Sequence, residues 1–309
     1  MAPTTVPILL LIFNRPHTTA KVFERIRAQK PKQLFIAADG PRTNRKEDIV
    51  LCSSARQIAN QVDWDCEVRT LFQSDNIGCG RGVAAGITWF FEQVSEGIIL
   101  EDDCLPNDSF FYFCAELLSR YRDNNEVMMI SGTTYQRGWQ TNETYYFSNY
   151  PHVWGWATWK RAWDCYRFEL DDARERAVVI ADTFSNRRER VFWKRNMDMI
   201  VNGLDTWDYQ WMYWIWKNNG LCITPRQNMI SNIGFGPDAS HTVDMNSPQA
   251  CMPGFELTTV KHPRRIRLDK GADKYERDTI LIGSAAAYYR TRLMNALKRF
   301  RRFKFYRDG

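Results

Sequence analysis

No run in this 309-residue sequence is long and apolar enough to cross a membrane. The N-terminal candidate, Val6 to Phe13, falls far short of the roughly 20 residues a spanning helix needs. It also lacks the basic leader and small-residue cleavage site of a signal peptide, so it reads as a first buried strand. Cys-x-x-Cys is absent although the chain has eight cysteines, which argues against a zinc ribbon or a disulfide framework. The pattern points to free thiols in a reducing cytoplasm. The four histidines form no spaced metal pair. No Gly-Lys-Ser/Thr follows a glycine loop, so there is no P-loop. "GCGRGVAAG" departs from the dinucleotide fingerprint because Val83 stands where a glycine is required. A Gly-x-Ser-x-Gly elbow is missing too. Repeats and low-complexity linkers are absent, which favours one continuous domain.

Aromatic residues, by contrast, are plentiful: 14% of the chain, with 12 Trp, enough for a large core and stacking surfaces. The net charge of +6 belongs to the end of the chain. Arg290 to Gly309 holds eight basic residues and one acid, leaving 34 basic against 35 acidic residues elsewhere. As a helix, that tail puts Leu293, Leu297 and Phe300 on one face among arginines and lysines. Such a face suits an anionic membrane surface; the alternative is a solvated helix partly docked on the body. A neutral body offers no continuing basic surface, so no nucleic-acid partner is expected.

Apolar runs alternate with helical patterns through the first half, the signature of βαβ units and a mainly parallel sheet. Strands are expected at 7–13, 33–38, 66–72, 97–100 and in "VMMISG". Helices are expected at 16–28, 44–62, from Gly78 to about Val94, and over roughly 107–122. Ligands in open α/β sheets sit beyond the strands' C-terminal ends. Three such ends carry reactive groups: Asn14-Arg15, Asp39, and the trio Glu101-Asp102-Asp103.

The trio, in "GIILEDDCLPND", poses the central question, because a buried strand ends in three like charges. Clustered carboxylates are hard ligands suited to Mg²⁺ or Mn²⁺, which would also meet phosphate oxygens and offset the charge of a departing diphosphate. A simple helix cap would need only Asn107 or Asp108. Arg81, at the start of the glycine-rich helix, is a candidate phosphate contact, although the glycines also suit tight packing. In "LDTWDYQWMYWIWKNNG", Trp207, Trp211 and Trp214 recur at helical spacing, with Asp205 or Thr206 as expected N-cap. Asp208 then lies in the first turn, either as a partner of the helix dipole or as a general base toward an acceptor hydroxyl. Trp207 would be its stacking platform.

These segments, in order over about residues 6–242, resemble the GT-A-fold nucleotide-sugar glycosyltransferases, and in particular a bacterial relative of N-acetylglucosaminyltransferase I. The resemblance implies that Arg15 of "FNRP" contacts the nucleotide and Asp39 of "AADGPR" lies near the uracil. It assigns the metal to Asp103, and ribose or donor sugar to Glu101 and Asp102. Gly155 and Trp156 of "YPHVWGWATWKRAW" would floor the sugar site, and Asp208 of "TWDYQW" would be the base. Gly236, Ser240 and His241 of "NIGFGPDASHT" would close over bound donor. Between 160 and 205 little aligns, so acceptor specificity does not carry over.

The expected fold is therefore α/β, GT-A and Rossmann-like, with a mixed, mainly parallel sheet flanked by helices and a C-terminal basic amphipathic helix. Residues 1–262 would form the transferase domain, 1–135 its nucleotide-binding half and 136–262 its sugar and acceptor half; 263–309 would be a basic extension. The expected activity is metal-dependent, inverting transfer from a nucleotide-sugar donor, UDP-linked in the first instance and with UDP-GlcNAc the first sugar to test. The acceptor would be a glycan or lipid-linked glycan of bacterial surface polysaccharide, met in the cytoplasm or at the inner membrane face. Two rivals stand beside this reading: a sugar-nucleotide nucleotidyltransferase and a non-catalytic, membrane-associated glycan-binding module.

Overall fold

The first strand owes its position to an unbroken apolar run. In β1 (Ile8–Ile12) all five residues are buried, as expected of a strand covered on both faces. Its side chains alternate between two cores. Ile8, Leu10 and Ile12 enter one with Phe23, Phe110 and Leu117, while Leu9 and Leu11 enter the other with Phe90, Trp156 and Trp211. The computed structural model describes residues 5–137, 142–170, 172–236, 249–250 and 252–283.

Alternation of strand and helix follows the sequence pattern. Helix α1 (Pro16–Gln29) starts on a proline and buries Thr19, Val22, Phe23 and Ile26 along one face, the i, i+3, i+4, i+7 stripe of an amphipathic helix. Next come β2 (Gln33–Ala38), α2 (Glu47–Arg56), β3 (Glu67–Phe72), α3 (Cys79–Phe91) and β4 (Glu96–Glu101). The helix expected over 44–62 is shorter, because α2 tightens into a 3₁₀ turn at Gln57–Gln61. After β5 (Cys104–Pro106), Asn107 caps α4 (Asp108–Arg120) by accepting the Phe110 N–H at 3.0 Å, and β6 (Val127–Ser131) follows.

The Trp-rich remainder adds β7 (Tyr145–Ser148), β8 (Trp156–Trp159), α5 (Lys160–Trp163), α6 (Ala173–Thr183), α7 (Arg187–Val201) and α8 (Asp208–Lys217). It closes with β9 (Leu221–Pro225), β10 (Ile230–Asn232) and α9 (Lys270–Glu276).

Eight strands form one sheet in the order β3-β2-β1-β4-β8-β6-β9-β7, and β5 pairs with β10 apart from it. The pairings leave β7 and β8 antiparallel to their neighbours and the other six strands pointing one way. This is the mixed, mainly parallel α/β sheet expected from the pattern. Strand order reverses beside β1, with β2 on one side and β4 on the other, and such a switch point opens a crevice at the strands' C-terminal ends.

Residues 263–283 belong to the body of the domain. Leu268 bridges to Phe147, and Asp273 in α9 accepts the Ser148 hydroxyl at 2.6 Å. Through these contacts the segment covers the outer side of β7. Residues 290–309 lie outside the described residues. Among the described residues no helix is long and apolar enough to cross a membrane.

Candidate active site

At the switch point lies a cleft of about 360 Å³, within the range typical of small-molecule sites. Leu11, Ala37, Leu71 and Val83 make apolar walls, while Arg15, Gln73, Asn76 and Glu101 bring polar groups. Three sequence-predicted strand ends thus converge here: those of β1, β2 and β4. The end of β3 contributes Gln73 and Asn76, which sequence reading missed. Extending the strand-end rule to β3 would have found both.

The acid trio meets its first cation from within the chain. Arg15 places one guanidinium nitrogen 2.6 Å from Asp102 Oδ1 and another 2.8 Å from Asp103 Oδ2, the forked geometry for which arginine is suited. Burial opposes the Arg15 charge, but Asp102 and Asp103 outweigh it and hold the guanidinium firmly protonated. Asp102 Oδ2 also accepts the Phe13 N–H at 3.1 Å. One guanidinium does not balance three acids. Burial, with Asp103 and Asp102 beside it, pushes the Glu101 carboxyl up to about 8. Burial likewise raises Asp102 to about 6 despite Arg15. The trio is short of positive charge. Among the described residues, no three His, Cys, Asp and Glu side chains are grouped to hold an ion by themselves.

A glycine makes this arrangement possible. A Cβ on Gly234 would lie 2.1 Å from Asp103 Oδ2 and 2.6 Å from an Arg15 nitrogen, so any side chain there would break the ion pair. Within "NIGFGPDASHT", then, the glycine pressed on the acids is Gly234; no atom of the described residues would lie within 4 Å of a Cβ on Gly236. Ser240 and His241 lie outside the described residues.

Asp208 opens α8, and its Oδ1 accepts from the Thr206 hydroxyl and from the Tyr209 N–H. Its charge is among those that raise Glu101, but Asp208 itself is not one of the residues lining the cleft. Neither expected N-cap serves α8. Trp207 takes that position without a side-chain cap, and Asp205 caps α3 instead, accepting the Cys79 and Gly80 N–H groups at 2.9 and 2.8 Å. Sequence spacing cannot reveal a cap borrowed from 125 residues away.

Other predicted residues do different work. Asp39 lines the cleft, but its oxygens accept from Gly40 and Ile77 and from Asn76 and Gly78, filling its acceptor sites and tying β2 to the loop before α3. Trp207 is no platform: it is buried and stacks on Trp156 at 5.7 Å. Trp156 is fully buried in the same aromatic cluster, and Gly155 beside it packs on Ile230. Arg81 is not brought to the acids. It pairs with Glu169 at 2.6 Å and lies over Phe168, because Asp205 already holds the helix terminus it was expected to complement.

No protein-family model matches this chain, and no curated protein matches it. The chain is similar to solved structures at TM-scores below 0.5. A cytidylyltransferase from Leptospira borgpetersenii serovar Hardjo-bovis is 9% identical over 52% of this chain, with a TM-score of 0.34. The match covers 63% of that protein, under two thirds of its length. TarS 1–349 from S. aureus is 11% identical over 66% of this chain and 68% of its own, with a TM-score of 0.35. A UDP-glucose pyrophosphorylase complexed with UDP-glucose is 12% identical over 52% and 71%, with a TM-score of 0.29.

Proposed function

We propose that this chain is a glycosyltransferase that moves a sugar from a nucleoside-diphosphate donor to a glycan hydroxyl, with inversion at the anomeric carbon. One observation carries the reading: an under-neutralised acid trio at the C-terminal end of β4, beside a nucleotide-sized cleft. The base would sit between the apolar walls, with Gln73 and Asn76 at its polar edge.

A divalent ion fits the donor set on stated terms. The trio is short of positive charge, yet the described residues offer no closed cage. Mg²⁺ or Mn²⁺ held by Asp103, with remaining positions left to phosphate oxygens and water, matches both facts. Such an ion would supply charge stabilisation to the departing diphosphate. Arg15 orients Asp102 and Asp103 and adds a second positive charge there. Asp208 takes the proton of the acceptor hydroxyl as its oxygen bonds to the anomeric carbon and the carbon–oxygen bond to the nucleoside diphosphate breaks. A single displacement of this kind inverts the centre and needs no covalent intermediate.

The first test is thermal-shift binding of UDP, GDP, CMP and dTDP with and without Mn²⁺, on wild type and on Asp103→Asn. Stabilisation by one diphosphate, dependent on both metal and Asp103, is expected. No metal-dependent shift with any nucleotide would remove the reading. Release of pyrophosphate from a nucleoside triphosphate and a sugar phosphate would replace it with nucleotidyl transfer. Asp208→Asn should lower turnover by roughly 10²–10⁴-fold while leaving nucleotide affinity unchanged. Equal losses of both would make Asp208 a binding residue instead.

A further inference from the structure

The near-neutral charge sum outside the tail conceals a segregation of charge along one edge of the sheet. β7 is the last strand in the sheet order, and the stretch 261–269 runs beside it. The Thr144 N–H donates to the Lys261 carbonyl at 2.9 Å, and the Asp269 N–H donates to the Phe147 carbonyl at 2.8 Å. Between these anchors the stretch takes eight steps of chain while the strand takes three. Eight extended residues reach about 27 Å, against about 10 Å for three strand residues, so the middle of the stretch must bow away from the sheet. His262 and Ile266 hold it inward: the His262 ring lies 3.0 Å from the Tyr145 hydroxyl, and Ile266 packs on the core.

What remains outside is basic. Lys261, Arg264, Arg265, Arg267, Lys270 and Lys274 are all exposed, and none makes an ion pair or a side-chain hydrogen bond among the described residues. The acids of the same region are engaged elsewhere. Asp269 caps α9, Asp273 accepts from Ser148, Glu276 lies buried against His152, and Asp278 pairs with Arg277 at 2.9 Å. Glu116 of α4 reaches His262 at 3.3 Å, Glu256 holds Ser109, and the Glu143 charge bears on Arg226. The six cations therefore repel one another with no described acid in ion-pair contact, and an anionic surface would relieve that repulsion.

Two exposed rings border the stretch, Phe255 at 49% and Tyr112 at 48% exposure. The run 255–262 crosses α4. Asn107 donates to the Phe255 carbonyl at 2.7 Å, the Leu257 N–H donates to the Ser109 hydroxyl at 2.6 Å, and His262 meets Glu116. Tyr112 stands three residues after Ser109 and four before Glu116, on the same helix face as both. Exposed rings beside unpaired cations match an anionic bilayer surface, where arginine and lysine meet headgroups and aromatic side chains settle at the interface. The sequence after Gly283 carries the same signature, with eight basic residues and one acid from Arg290 to Gly309, and Leu293, Leu297 and Phe300 three or four apart. Apolar side chains so spaced suit a lipid surface rather than a nucleic-acid backbone.

We propose that the stretch 261–274, bordered by Tyr112 and Phe255, docks the protein on an anionic lipid surface. None of these residues lines the cleft at the switch point, so the docking face stands whether or not the chain transfers a sugar.

The test is flotation of the full chain with vesicles of phosphatidylcholine alone and of phosphatidylcholine with about one third phosphatidylglycerol. Binding is expected to the anionic vesicles only, and it should weaken in about 1 M salt, where screening acts within about 3 Å. The triple variant Arg264→Gln, Arg265→Gln, Arg267→Gln keeps the whole tail. It should bind at least about tenfold more weakly, since each cation near such a surface contributes on the order of fivefold. A control with the same loss of charge, Lys21→Gln, Arg25→Gln and Lys30→Gln at exposed positions in and just after α1, should bind as the wild type does. Melting temperatures of both variants check folding. Equal binding to neutral vesicles, unchanged binding by the first variant, or equal losses in the two variants would each overturn the proposal. Tighter binding to duplex DNA or RNA than to anionic vesicles would overturn it in favour of a nucleic-acid partner.

Discussion

Two nearly buried carboxylates share the Arg15 guanidinium, whose own side chain is 29% exposed. Removing one partner of a buried ion pair costs about 3–5 kcal/mol, and partial exposure of Arg15 reduces that. Arg15→Met should therefore lose about 2–3 kcal/mol of stability at pH 8 by urea denaturation. The loss should shrink at pH 5. Burial already lifts Asp102 to about 6, so below that pH the carboxyl takes up a proton and no longer needs the cation. An equal loss at both pH values would mean that Arg15 acts through packing alone. The same residue explains why the strand can end in acids at all, since the nearest counter-charge comes from the neighbouring strand end.

Among the elements, α3 shows how a helix terminus is assigned by tertiary partners. Its glycine-rich start offers free N–H groups with the dipole behind them, an inviting anion site by sequence. Asp205 occupies it. Gly78 precedes the helix with φ +90°, and a Cβ there would come 2.9 Å from Asp205 Oδ2, so the loop, cap and helix form one fitted unit. Asp205→Ala should cost about 1 kcal/mol, as loss of an N-cap does. A chain of this size should then melt about 1–2 °C lower, with helical content unchanged by circular dichroism. An unchanged melting temperature would show that water replaces the cap without penalty. Arg81 pairs with Glu169 and lies over Phe168 instead.

In the molecule as a whole, α9 fastens the late segment to the sheet edge through buried polar contacts. Asp273 accepts from Ser148 and from the Asn149 N–H, and Glu276 lies 3.1 Å from His152. Burial pushes the Asp273 carboxyl up to about 7, against an unfolded value near 3.9. The folded state thus holds a proton that the unfolded state releases. Stability from this group is full below pH ~4 and falls as pH rises toward 7. Asp273→Asn should remove one proton's share of that slope, about 1.4 kcal/mol per pH unit between pH 4 and 7, measured by denaturation across the range. An unaltered slope would place the linked proton elsewhere.

The sequence by itself determined the α/β class, the chain positions of the early strands and helices, and the places where strands end in reactive groups. Those features depend on local periodicity and on runs of buried side chains, which a linear pattern records. It also drew attention to Arg15 at a strand end, to the trio Glu101-Asp102-Asp103 and to Asp208, because three acids after an apolar strand and an acid in a helix's first turn are local anomalies. Tertiary structure alone decided which cation reaches the acids, which carboxylate caps α3, and that Trp156 and Trp207 stack on each other in the core. It also decided that Gly234 is the residue pressed against Asp103. Each is a contact between residues far apart in the chain, fixed by strand order and packing rather than by spacing. Two clefts over Phe168–Leu170 belong to the same class, since their walls come from α3, the α5–α6 connection, α7 and α8, which only folding brings together.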